Sequence, residues 1–321
     1  MKDRRLLSEM DMGAKAPMKA VARRCHLSRQ VAEYRLRKLK EQSIAFGALT
    51  IFDSCVAGYK WYRVLLSLNK ISVKQKEEFL GYLKSHRFVF WLGEVGGNWD
   101  LVVNFVCRDH FHFNSIFEEM MQKHGQFVKR HEMLIYIDVH DLSRAYILQT
   151  DTSRKEFYHA MKPNPSFGLD NIDKEIIRIL GKDASASATY IAKKAGKSPQ
   201  TVNARIAKML KANFILGFRL FINPSALGYQ SNMVFFEMNR LEPESEKSFI
   251  NHLKEMPNVT FIVRHIGKWR IGLEIETRTQ EEFQAIFVSI RTRFAPIIDG
   301  FESFPLFRDH VIDYFPEGNF D

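Results

Sequence analysis

A chain of 321 residues exceeds one small module and implies two or more domains. Its 45% apolar residues, 27 of them Phe, suffice for ordinary globular cores, and no run approaches the roughly 18 apolar residues of a membrane span. The formal net charge of +10 lies in two segments: residues 1–45 hold twelve Lys/Arg against five Asp/Glu, residues 170–217 nine against four, and the remainder is slightly acidic. The opening "MKDRRLLSEMDMG" lacks the apolar stretch of a secretory signal. Cys25, Cys55 and Cys107 are too few and too scattered for a disulfide framework or a CxxC metal pair. A protein of the reducing cytoplasm is expected.

The first basic segment contains "LSRQVAEYRLRKLKEQSIAFGA" from Leu27. Patterning then predicts strand, helix, strand, strand, helix and strand at 61–69, 73–86, 88–95, 99–107, 110–123 and 131–139. That order is the ferredoxin-like βαββαβ arrangement. The stretch "QTDTSRKEFYHAMKPNPSFG" at 149–168 is polar, carries Pro163 and Pro165, and reads as a linker. Next, "LDNIDKEIIRIL" places Ile172, Ile176, Ile177 and Leu180 at helical spacing behind a cap at Asp170 or Asn171. A short helix, "ATYIAKKAG", ends at Gly196. Ser198 caps a third helix with Pro199 at its first position. Three short helices with a turn before the third describe a helix-turn-helix, and "FILGFRLFIN" suits a wing hairpin. A second βαββαβ pattern follows at 231–239, 243–256, 258–265, 269–277, 280–292 and 300–308.

Sliding the chain by 170 residues aligns these halves without a gap. Ser28, Gln30, Arg35, Lys38 and Gly47 meet Ser198, Gln200, Arg205, Lys208 and Gly217. Gly58-Tyr59 meets Gly228-Tyr229, Gly97 and Trp99 meet Gly267 and Trp269, and Asp3 meets Asp173. The chain is a tandem duplication, two copies only, so neither solenoid nor propeller. The expected domains are a winged helix-turn-helix at 1–53, a ferredoxin-like domain at 58–145, a linker at 146–168, and second copies at 169–223 and 228–315. The fold class is α+β.

Across both copies the order of these stretches, best kept in "SPQTVNARIAKMLKANFILGFRLFINPSALGY" and "VRHIGKWRIGLEIETRTQEEF", resembles the Lrp/AsnC family of prokaryotic transcription factors. The resemblance implies a winged-helix DNA reader joined to a ferredoxin-like domain that pairs through its sheet and can bind an amino-acid effector. It implies double-stranded DNA as partner, and assembly as a pseudo-dimer within one chain or as a homo-oligomer. The family's turn of the form Gly-x-x-Asp survives as Gly97-Asn98-Trp99-Asp100 but becomes Gly267-Lys268-Trp269-Arg270 in the second copy, which puts amino-acid sensing there in doubt. Gly97, Trp99, Asp100, Gly267 and Trp269 are the candidate ligand residues, the tryptophans fitting a core or interface role better than a ligand platform.

For DNA contact the candidates on the third helices are Arg29, Gln30, Glu33, Arg37 and Lys40 in the first copy, and Gln200, Asn203, Lys208 and Lys211 in the second. Gln and Asn can read adenine and Arg guanine, whereas Lys more often holds phosphate. Arg23, Arg24, Lys193 and Lys194 on the preceding helices are candidate phosphate contacts. Arg35 and Arg205 suit either an ion pair or DNA. No HExxH, GxSxG, P-loop or GxGxxG is present, so no catalytic residue, metal or cofactor is expected. One enzymatic alternative remains: siroheme decarboxylases also resemble this family, and Arg264 and His265 lie roughly where such enzymes serve a tetrapyrrole carboxylate. An architectural protein that has lost DNA contact is a third reading, against which the basic balance of both segments argues.

Overall fold

The computed structural model describes residues 2–148, 154–239 and 242–320. The first copy opens with α1 (Lys2–Asp11), α2 (Met18–Arg24) and α3 (Arg29–Glu41), followed by the single strand β1 (Ala45–Phe52). Next come β2 (Lys60–Leu68), α4 (Val73–Ser85), β3 (Val89–Val95), β4 (Leu101–Cys107), α5 (His110–His124) and β5 (Val128–Leu142). A short strand, β6 (Glu156–His159), precedes the second copy. That copy repeats the order as α6 (Asn171–Lys182), α7 (Ala188–Ala195), α8 (Pro199–Lys211), β7 (Ile215–Ile222), β8 (Gln230–Met238), α9 (Pro243–Glu255), β9 (Val259–Ile266), β10 (Ile271–Thr277), α10 (Gln280–Phe294) and β11 (Ile298–Ile312).

The caps behave as their chemistry dictates. Asp170 accepts from the Ile172 and Asp173 amides at 2.9 Å, while the Asp173 carboxylate returns to the Asp170 amide, closing a capping box. Gly196 ends α7 at φ 62°. The first copy places His26 at the equivalent corner, with φ 54°, where a side chain crowds the backbone.

The two sheets close on one another. Within the first copy the strands run β3-β4-β2-β5, and within the second β9-β10-β8-β11. Both terminal strands are 15 residues long, well beyond the expected nine. Their first halves pair at home, Tyr62↔Ile135 and Ser303↔Val234 for example. Their second halves cross over, pairing β5 with β9 and β11 with β3. Eight strands thus form a closed barrel, with no edge left between the copies.

Side-chain alternation separates inside from outside. On β2, Tyr62, Val64 and Leu66 pack outward beneath α4 and α5 with Phe79, Phe113 and Phe117. Leu65 points inward and meets Trp99, Phe235, Trp269 and Phe304 from both copies.

Three expectations need correction. "FILGFRLFIN" forms no hairpin: β7 pairs antiparallel with β1 of the other copy, Thr50↔Phe218 among the partners. The two cores are therefore crossed. Leu220 and Ile222 complete the core of α1–α3, and Phe52 lies in the core of α6–α8. Burying one such Phe is worth about 1.5–3 kcal/mol. The segment after residue 145 is not plain linker either: Tyr146 and Ile147 are buried in the first helical core, and β6 adds to β5 as a ninth strand. Part of the expected linker, residues 149–153, lies outside the described residues. Finally, the second copy runs on past 315, with Phe320 packed beside Phe315 in the second helical core.

Candidate nucleic-acid interface

Helices α3 and α8 are built alike. Ser28 and Ser198 accept from the Val31 and Thr201 amides at 3.3 and 3.1 Å. Ala32 and Leu39 fasten α3 inward, as Val202 and Met209 fasten α8. The repeated arginine belongs to this frame: Arg35 donates to Asp3 at 2.8 Å and Arg205 to Asp173 at 3.1 Å and to Asp170. Each ties its third helix to the first helix of the same copy, which settles the choice left open by their position beside the buried stripe. Hydrogen bonding to these carboxylates holds the Arg205 pKa above its ordinary value and that of Asp170 below.

The candidate DNA-contact residues all lie at the surface. Arg29, Gln30, Glu33, Arg37 and Lys40 are exposed on α3, as are Gln200, Asn203, Lys208 and Lys211 on α8. Arg23, Arg24, Lys193 and Lys194 are exposed at the ends of α2 and α7. Neighbours restrain some of them. Arg29 pairs with Glu33 at 2.7 Å, Arg24 with Glu9 at 2.6 Å, and the Lys208 ammonium sits 5.7 Å from the Phe167 ring. Such exposed pairs are weak enough for a phosphate to displace.

Tyr34 was missed by sequence reasoning. Its ring is 52% exposed on α3, with Arg37 and Lys38 at 5.8 and 6.0 Å. Its spacing, off the Ala32–Leu39 stripe, was the available signal. The second copy has Ala204 at the corresponding place, so the two helices differ in shape as well as charge.

The candidate ligand residues are engaged elsewhere. Gly97 and Gly267 take φ of 79° and 136°, as their turns require. Trp99 and Trp269 are buried in the shared barrel core. Trp99 Nε1 donates to Glu302 of the other copy at 2.7 Å, and the Arg130 guanidinium stacks at 4.4 Å. The Asp100 carboxylate accepts from the Leu68 amide at 2.7 Å. In the second copy Arg270 forks onto Glu246 at 3.0 and 3.1 Å. The turn that carries Asp in one copy and Arg in the other is thus a structural tie in both.

The residues considered for decarboxylation are also committed. Arg264 pairs with Asp138, at 2.9 Å through Nε, with Glu246 nearby at 3.7 Å. His265 is fully buried between Tyr136 and Phe235, and burial drives its pKa well down. No group of three or more His, Cys, Asp or Glu that could hold a metal occurs among the described residues. Nor is any of their helices long and apolar enough to cross a membrane.

Residues 169–210 match the family model for the AsnC-type helix-turn-helix domain. The HTH-type transcriptional regulator FL11 of Pyrococcus furiosus is 30% identical over 114 residues, 36% of this chain and 74% of that one. The chain belongs to the Lrp/AsnC family. FL11 of Pyrococcus horikoshii, 28% identical over 142 residues, covers 44% of this chain and 91% of its own length. A single-copy Lrp/AsnC regulator therefore corresponds to less than half of the present molecule. Over its whole length the chain is similar to the solved siroheme decarboxylase NirDL, with a TM-score of 0.62 covering 100% of this chain and 96% of that one. At 13% identity this likeness shows the shared fold alone.

Proposed function

We propose that this Lrp/AsnC protein is a sequence-specific DNA-binding transcription regulator, a pseudo-dimer in one chain that reads an asymmetric operator. The observation that carries this is the pair of exposed, capped and basic third helices, α3 and α8, mounted on one scaffold by the β1–β7 pairing. The relatives are named as transcriptional regulators, and the cation excess sits on these two heads.

Frame residues are kept between the heads and reading residues changed: Glu33 faces out where the other copy has Asn203, and Arg37 where it has Ala207. Identical readers call for a palindrome. Unlike ones call for unlike half-sites, spaced near a multiple of roughly 34 Å.

The test is selection of bound genomic fragments, followed by titration at several salt concentrations. Affinity should fall steeply with salt, and Gln200→Ala with Asn203→Ala should cost about 1–3 kcal/mol at particular base pairs. Indifference to salt or to those substitutions defeats the reading.

The siroheme-decarboxylase alternative finds less support. Arg264 is neutralised by Asp138, and the pocket that this pair lines measures ≈ 250 Å³, below the roughly 300–1,000 Å³ of ordinary ligand pockets. Protein that takes up added siroheme with a Soret band, and loses turnover on His265→Ala, would reinstate it.

A further inference from the structure

Inside the barrel lies an arginine with no carboxylate at ion-pair distance among the described residues. Arg63, on β2, is 6% exposed. Its hydrogen-bonding neighbours are neutral: Asn104 Oδ1 accepts from Nε at 2.9 Å, and the Tyr136 hydroxyl is beside it. The rings of Tyr136, Phe235 and Trp91 lie 5.0, 5.7 and 5.9 Å from the guanidinium carbon. Among the described residues no carboxylate is within ion-pair distance, whereas Arg144 and Arg219, comparably buried, hold Glu276 and Asp11 at 3.0 Å. A buried cation without an anion costs several kcal/mol, and ring faces offset only part of that. Burial accordingly lowers the Arg63 pKa.

The guanidinium lines the cavity of ≈ 80 Å³, room for about five or six waters. Trp61, Trp91, Tyr136 and Tyr314 make the rest of its wall largely aromatic. His159, 1% exposed, also lines it, with Nδ1 unpartnered. Glu274 stands on the other copy's wall, and burial, with Glu276 adding, pushes its carboxyl up to about 8. It stands beyond ion-pair distance of Arg63, and its charge raises the Arg63 pKa less than burial lowers it.

The duplication made this site one-sided. The position equivalent to Arg63 is Met233, and that equivalent to Asn104 is Glu274. Both face the same cavity. Two identical subunits would set two arginines or two methionines across the two-fold axis; the fused chain sets one of each.

We infer that the barrel cavity binds a short-chain aliphatic monocarboxylate of about two to four carbons, its carboxylate on the Arg63 fork and its alkyl chain against the aromatic wall and Met233. The fork geometry matches a carboxylate, and the largely aromatic wall suits an alkyl chain. This inference stands apart from the DNA reading, since neither recognition helix takes part.

The experiment is a titration of the full chain with sodium propionate at fixed ionic strength, read by tryptophan fluorescence (Trp61 and Trp91 line the cavity) and by the thermal midpoint. Saturable quenching or a spectral shift with a rising midpoint is expected. Propionamide, propylammonium, chloride and phosphate should give neither. Arg63→Met copies the residue already at 233, removes a buried unpaired charge, and should fold while binding at least about tenfold more weakly. Arg63→Lys keeps the charge without the fork and should weaken binding several-fold, which decides the matter if the Met variant misfolds. Absence of saturable binding by the wild type, equal binding by propionamide or an inorganic anion, or undiminished binding by these variants overturns the inference.

Discussion

Removing the Asp11 carboxylate tests how the heads are fixed to the barrel. Asp11 ends α1 and is 1% exposed. One oxygen accepts from Arg219 Nε of β7 at 3.0 Å, the other from the Arg144 amide at 2.7 Å. Arg219 also donates to Asp141 and to the Leu142 carbonyl, while Arg144 forks onto Glu276 of β10 and Tyr146 donates to the same carboxylate. One buried network thereby joins the first head, the other copy's wing strand and both sheets. Asp11→Ala deletes one charge-assisted hydrogen bond, about 1.5–3 kcal/mol, and leaves a buried amide without an acceptor, about 1–3 kcal/mol. A net loss of about 3–5 kcal/mol follows, the usual cost of breaking a buried pair. Urea denaturation of Asp11→Ala, Arg219→Leu and the double variant supplies the measurement; Leu is the residue at the equivalent position 49. Coupling of at least about 1.5 kcal/mol between the two is expected. A loss below about 1 kcal/mol for Asp11→Ala, or strict additivity, refutes the reasoning.

Other expectations are more local. His26→Gly relieves a left-handed side chain and should raise stability by about 0.5–1 kcal/mol, visible as a higher urea midpoint. His159 is buried, and burial lowers its pKa to about 3 from an ordinary 6.5. Its contribution is therefore complete above pH 6.5 and is lost as pH falls toward 3, at up to about 1.4 kcal/mol per unit. His159→Phe should flatten that acid limb in denaturation curves recorded across the range. Replacing residues 28–40 by the sequence of 198–210 should make the selected operator symmetric; an unchanged site would mean the helices differ only by drift.

The elements were legible because each copy obeys local rules. Period-2 and period-3.6 patterns, the caps at Ser28, Ser198 and Asp170, and the glycine at 196 all act within a few residues. The pairing between copies was not legible. Strand β7 carries ordinary wing chemistry, and nothing near Ile215–Ile222 states that its partner lies at 45–52. The crossover of β5 and β11 was hidden for the same reason, since a strand that changes partners midway keeps its alternation. Arg63 escaped notice because its isolation depends on what surrounds it in three dimensions. Exposure of the candidate DNA-contact residues followed from helix periodicity, whereas the burial of Trp99 and Trp269 needed the closed barrel to explain.

Crossed heads also constrain how the chain is made. The first head's core includes Leu220 and Ile222, so its three helices stay incomplete on the ribosome until residue 222 has emerged. Through that interval β1 presents an open edge and Phe52 has no core to enter. A fragment ending near residue 168 carries the same deficit permanently. Two such fragments can satisfy one another by exchanging β1, so the isolated first half should self-associate, whereas the duplicated chain finds its partner strand within itself.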